Sequence, residues 1–170
     1  WEEKLRGAPL CREVARKILN EEVLPGAGAR VFDDLHLAGI LQSWSGNGPA
    51  RSVPSRPPVA DPVEYVLDRL ETLGVEEGND LCLLEPEDFA VDFEAQYGLF
   101  PNEVQNLREE FPRIWNVQGA RYVCRIDAAA RTVTIEPAND DATRYAEPQA
   151  WTLPSFRGFR VRYRHASRVV

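Results

Sequence analysis

At 170 residues, 44% hydrophobic and 28% charged, the chain has the size and make-up of one ordinary domain or two small lobes, which excludes wholesale disorder. No window approaches the roughly 18 consecutive apolar residues of a membrane span, and Trp1-Glu2-Glu3-Lys4 lacks the apolar core of a signal peptide, so a cytoplasmic protein without membrane contact is expected. The net charge of −7 is sorted by position: +1 over residues 1–59, −12 over 60–115 and +4 over 116–170.

Ala8-Pro9-Leu10 opens a helical pattern with Pro in the first turn. Leu10, Val14, Ile18 and Leu19 share one face, and Pro25-Gly26 ends it. A second helix is predicted from about Arg30 to Trp44, with Val31, Phe32, Leu35, Ile40 and Leu41 inward. A helical hairpin suits 1–44 better than a DNA-reading helix-turn-helix, because Asp33 and Asp34 stand where a DNA reader needs cations. Residues 45–60 then turn rich in Gly, Ser and Pro and read as a linker, or equally as a surface loop within one domain.

Asp61-Pro62-Val63-Glu64 is a helix start: Asp caps, Pro takes the first position and Glu reaches back from the third. Val63, Val66, Leu67, Leu70 and Leu73 form its apolar stripe, with Gly74 just past the end. Leu81-Cys82-Leu83-Leu84 is predicted as a buried strand or extended segment. Glu85-Pro86-Glu87-Asp88 suggests another helix start, followed by Phe89, Phe93 and Tyr97 at i, i+4 and i+8. A last helix begins near Asn102, with Val104, Leu107 and Phe111 inward, and Pro112 closes it.

Beyond Trp115 the period becomes alternating. Residues 121–126 and 132–136 flank 127–131 as a hairpin would, 139–154 is polar and irregular, and Phe159, Val161 and Tyr163 alternate with Arg160, Arg162 and Arg164. The expected fold class is α+β: N-terminal helices followed by a small C-terminal antiparallel sheet. The expected organisation is a helical hairpin (1–44), a linker or loop (45–60) and an α+β domain (61–170), acidic and helical to 115 and β-rich from 116.

Signatures of catalysis and cofactor binding are missing from the sequence. There is no phosphate-binding glycine loop, dinucleotide fingerprint or nucleophile elbow, so a non-enzymatic fragment without cofactor or metal is expected. His36 and His165 have no ligand companions at useful spacing. Cys11, Cys82 and Cys124 form no framework and read as reduced, space-filling thiols. The acids Glu85, Glu87, Asp88, Asp92 and Glu94 could pair around a divalent cation in a metal-dependent hydrolase, but a solvated helix start explains them more simply.

Two lysines stand against eighteen arginines, so nearly every cation is a planar fork suited to carboxylate or phosphate. The last twenty residues carry Arg157, Arg160, Arg162, Arg164 and Arg168 and no acid. This ladder could track a phosphodiester backbone with Tyr163 or Phe156 stacking on a base. It could instead pair with the chain's own acidic block, or protect a solvated edge strand. The absence of Met and the start at Trp1 lead us to expect a piece of a longer, bacterial-type protein.

The segments 80–89, 110–113, 119–122 and 153–161 resemble accessory domains found C-terminal to the motor of bacterial superfamily 2 helicases. The resemblance covers the second half of the chain and implies a non-catalytic domain that guides nucleic acid or a partner. The expected function is therefore an accessory or interaction domain that positions nucleic acid or an acidic partner through Arg157, Arg160, Arg162, Tyr163, Arg164 and Arg168. Its partners would be the remainder of the parent chain or another subunit. The alternative is a protein–protein module with no nucleic-acid role.

Overall fold

Helices α1 (Ala8–Leu19) and α2 (Ala27–Ser43) open the computed structural model, which describes residues 8–44, 47–76, 78–138 and 148–164. Arg168 and His165 lie outside the described residues. The fold is α+β, helices first and sheet last. The compact units do not follow the expected division at 45–60: Trp1–Gly39 joins Pro54–Asp92, and Ile40–Val53 joins Phe93–Val170.

In the first unit α1 buries Val14, Ala15, Ile18 and Leu19. The carboxylate of Glu21 accepts from the Ala29 N–H at 2.9 Å, satisfying a first-turn donor of α2. Gly28 is required there, since a Cβ would lie 2.3 Å from the Leu19 carbonyl oxygen. On α2, Val31, Ile40 and Leu41 are buried as expected, but Phe32 and Leu35 are only half-buried and Asp34 is 1% exposed. Asp34 accepts from the Val91 N–H at 2.9 Å. That bond takes Val91 out of any helix, which is why the predicted Phe89–Tyr97 helix is broken. Phe89 ends a 3-10 turn (Pro86–Phe89), and the helix Phe93–Tyr97 starts only beyond it.

Helix α3 (Pro62–Thr72) is capped by Asp61, which accepts from the Glu64 N–H at 3.0 Å. The carboxylate of Glu64 pairs with Arg12 of α1 at 2.6 Å. Tyr65, Val66 and Leu70 are its buried side chains, while Leu73 is exposed. Tyr65 donates to the Phe89 carbonyl at 3.0 Å, and Arg69 donates twice to that of Asp88. Burial pushes the Tyr65 phenol up to about 12. These bonds, with the packing of α3 on α1, explain why 61–92 belongs with the N-terminal helices.

The strand expected at 81–84 is a 3-10 helix, Gly78–Leu83, with Cys82 exposed and Leu83 82% exposed. The four-stranded sheet lies wholly in the second unit, so a strand here has no ladder to join among the described residues. Asp80 accepts from the Glu76 N–H and stabilises the turn instead. Cys124 alone of the three thiols is buried, and burial pushes it up to about 12, leaving it protonated and unreactive.

In the second unit α4 spans Phe93–Tyr97 and α5 spans Pro101–Glu110. Residues 51 and 52, expected in a linker or surface loop, are pinned to this pair. The N–H groups of Arg51 and Ser52 both donate to the Tyr97 carbonyl. Arg51 clasps Glu103 through two 2.7 Å bonds and reaches the Gly98 carbonyl at 2.6 Å. Gly98 has φ +64, and a Cβ there would sit 3.0 Å from that of Arg51.

The Arg51 guanidinium and the Phe100 N–H hold the Glu103 carboxyl down at about 2. A depressed carboxylate stabilises the fold above its unfolded value of 4.5, and this contribution is lost as pH falls toward 2. We expect the Glu103 carboxyl to titrate far below the ordinary range by NMR and to return toward it in Arg51→Ala. An unchanged midpoint in that variant would show that the clasp does not form in solution.

The sheet has the order β1-β2-β3-β4, from Ile114–Val117, Ala120–Asp127, Thr132–Pro137 and Arg160–Tyr163. β1–β2 and the expected β2–β3 hairpin are antiparallel; β1 was not anticipated. β4 departs from the expected antiparallel sheet by running parallel to β3. The chain between Pro137 and Arg160 exceeds the dozen or so residues that a parallel crossover needs.

Candidate functional site

Register and alternation assign each strand residue to one of two sheet faces. Tyr122, Cys124, Val133 and Ile135 are all within 2% of complete burial and define the inner face. Val161 pairs with Val133 and Tyr163 with Ile135, so both lie on that side. The outward face carries Arg121 and Arg125 from β2, Thr132, Thr134 and Glu136 from β3, and Arg160 and Arg162 from β4. Arg164 continues this parity just past the strand, its N–H donating to the Ile135 carbonyl.

Glu136 is central to this face. Its carboxylate meets Arg125 at 3.2 Å and Arg164 at 3.4 Å, so one negative charge is shared by two guanidinium groups. Both arginines are about 70% exposed, and such pairs contribute at most about 1 kcal/mol each. Arg160 and Arg162 have no ion-pair partner among the described residues. With Asp127 the only other acid on these strands' outward positions, cations are in excess.

The predicted ladder residues therefore divide. Arg160, Arg162 and Arg164 share one face. Arg157 points elsewhere: it binds Glu110 of α5 at 2.5 Å from a turn in which Phe156 and Arg157 both have positive φ, 45° and 46°. This left-handed turn costs about 1–2 kcal/mol per residue, and it is offset by full burial of the Phe156 ring near Phe111, at 6.2 Å. Tyr163 lies on the inner face with Tyr122 at 6.4 Å. Neither aromatic proposed for base stacking is beside the arginines.

Two basic residues of the face, Arg121 and Arg125, were not singled out from the sequence. The signal was present in the alternation of 121–126, but only the β2–β3–β4 register carries it to β4. The acids of 60–115 meet mainly N-terminal arginines: Glu64 with Arg12, Glu87 with Arg30, and Glu103 with Arg51. From the C-terminal ladder, Arg157 joins them through Glu110. The acidic cluster 85–94 is also committed in part, since Asp88 accepts from the Glu85 N–H at 2.8 Å while Glu87 pairs with Arg30. Among the described residues no three His, Cys, Asp or Glu side chains form a group able to hold a metal. No described helix is long and apolar enough to cross a membrane. In the first unit a mainly apolar cavity of about 230 Å³ is bordered by Val14, Val23, Leu81 and Cys82 among others.

No family model, curated protein or solved structure matches this chain.

Proposed function

We propose that this chain is a non-catalytic interaction module whose outward sheet face holds an acidic protein segment. The observation that carries this reading is the concentration of Arg121, Arg125, Arg160, Arg162 and Arg164 on one face, with both candidate aromatics elsewhere. Base stacking supplies much of the affinity for single strands, and the described residues of this face offer no ring for it. The interleaved Glu136 and the net charge of −7 also oppose a phosphate backbone, whose binding grows with the number of phosphates neutralised. The resemblance to helicase accessory domains supports the same non-catalytic, guiding role in a larger cytoplasmic protein.

A second reading, nucleic acid, is favoured by the exposure of Arg160 and Arg162 without ion-pair partners among the described residues. Fluorescence anisotropy of labelled oligoglutamate and oligonucleotides at about 50 mM salt separates the two. We expect the acidic peptide to bind, and Arg160→Glu with Arg162→Glu to abolish it. Glu136→Gln should strengthen binding by releasing Arg125 and Arg164. Binding indifferent to all three substitutions would refute the assignment of this face.

A further inference from the structure

The partner of β4 can be specified further, resting on the reading that the arginine face holds an acidic protein segment. Among the described residues β4 is an edge strand: the sheet order ends with it. The N–H groups of Arg160 and Arg164 donate to the Arg131 and Ile135 carbonyls of the β3 side. Donors that face a neighbour alternate along a strand, so the N–H and C=O of Val161 point to the open edge. They make no hydrogen bond among the described residues. Val161 is also 37% exposed, although it belongs to the apolar face and pairs with fully buried Val133.

We propose that β4 binds by strand addition, taking an extended peptide in which acidic and apolar residues alternate. Main-chain bonds to Val161 would set the peptide at the sheet edge. Its acidic side chains would then rise beside Arg160, Arg162 and Arg164, while its apolar side chains would cover Val161. The match in spacing is inherent, because both strands repeat every two residues at roughly 6.6 Å. A second copy of β4 is the wrong occupant. Self-pairing would bring arginine against arginine on one face, and like charges across a strand pair are destabilising. The edge thus rejects its own kind and selects the opposite sign.

The test uses the full chain and four peptides: acetylated Glu-Val-Glu-Val-Glu-Val, the block isomer Glu-Glu-Glu-Val-Val-Val, and two forms of the alternating peptide N-methylated at every second amide, one in each phase. The alternating peptide should bind best. The block isomer and one N-methylated phase should bind roughly tenfold more weakly, the loss expected from one or two hydrogen bonds and mismatched side chains. The Val161 amide should become protected from hydrogen exchange on binding. Val161→Pro should reproduce the loss, since its N–H is not used by β3. Equal binding of all peptides, without protection at Val161, would overturn strand addition while leaving the acidic-partner reading in place. Binding of none of them, with oligodeoxythymidylate bound through Arg160 and Arg162, would overturn both in favour of phosphate. No binding of any acid also ends both.

Discussion

Replacing Phe111 by Ala is expected to lower the unfolding free energy of the second unit by about 3–5 kcal/mol, the usual cost of deleting a buried aromatic ring. Phe111 closes α5 and is 1% exposed. Its ring meets Trp44 edge-on at 5.5 Å and 87°, Phe159 at 5.2 Å and Phe156 at 6.2 Å. Trp44 also lies 5.0 Å from Phe159. One ring thus links the 40–53 segment, the end of α5 and the residue immediately before β4. Its loss would leave a cavity and release the anchor that sets where Arg160 and Arg162 emerge. Chemical denaturation should show the destabilisation, and exchange of the β4 amides should quicken more than that of β2. Phe111→Leu, which retains most of the volume, should cost far less. A loss below about 1 kcal/mol in Phe111→Ala would mean that the cluster does not organise this unit.

The second large effect concerns Asp34, the one charged residue buried among the described residues. Its carboxylate receives the Val91 N–H at 2.9 Å, next to the chain that passes from Phe89 to α4. Asp34→Ala would leave that buried donor without its acceptor, at a cost of about 1–3 kcal/mol, toward the upper end because the acceptor is a carboxylate. Asp34→Asn keeps an oxygen at the same position and should restore most of the loss. Urea unfolding of the two variants gives the comparison. If Asn and Ala prove equally destabilising, the Val91 bond is not what Asp34 provides. An Ala variant within about 0.5 kcal/mol of the parent would show that the bond contributes nothing.

Local signals were legible wherever chemistry acts between near neighbours. Asp61-Pro62 starts α3 because a side-chain acceptor and a fixed φ work within one turn. Alternation over 121–126 and 132–136 identifies the hairpin, because strand periodicity survives without tertiary contacts. The order of helices and sheet followed from these, as did the arginine alternation of 160–164. The chain by itself also determined that its cations would be guanidinium forks, and that β4 would place arginines and apolar residues on opposite sides.

Tertiary structure decided the rest, because the deciding partner lay far away in sequence. Leu81–Leu84 is apolar enough for a strand, yet a strand needs a neighbour to take its backbone bonds, and the described sheet is formed elsewhere. The Phe89–Tyr97 periodicity suited one helix until Asp34, on α2, claimed the Val91 N–H. β4 became parallel because the long passage from Pro137 returns it alongside β3 in the same direction. The same register brought Arg121 and Arg125 onto the face of Arg160 and Arg162 and set Glu136 among them. Sequence could say that opposite charges were segregated along the chain. Only folding could pair the middle acids with Arg12, Arg30, Arg51 and Arg157 and leave a cationic sheet face outward, because ion pairing depends on distance in space rather than separation along the chain.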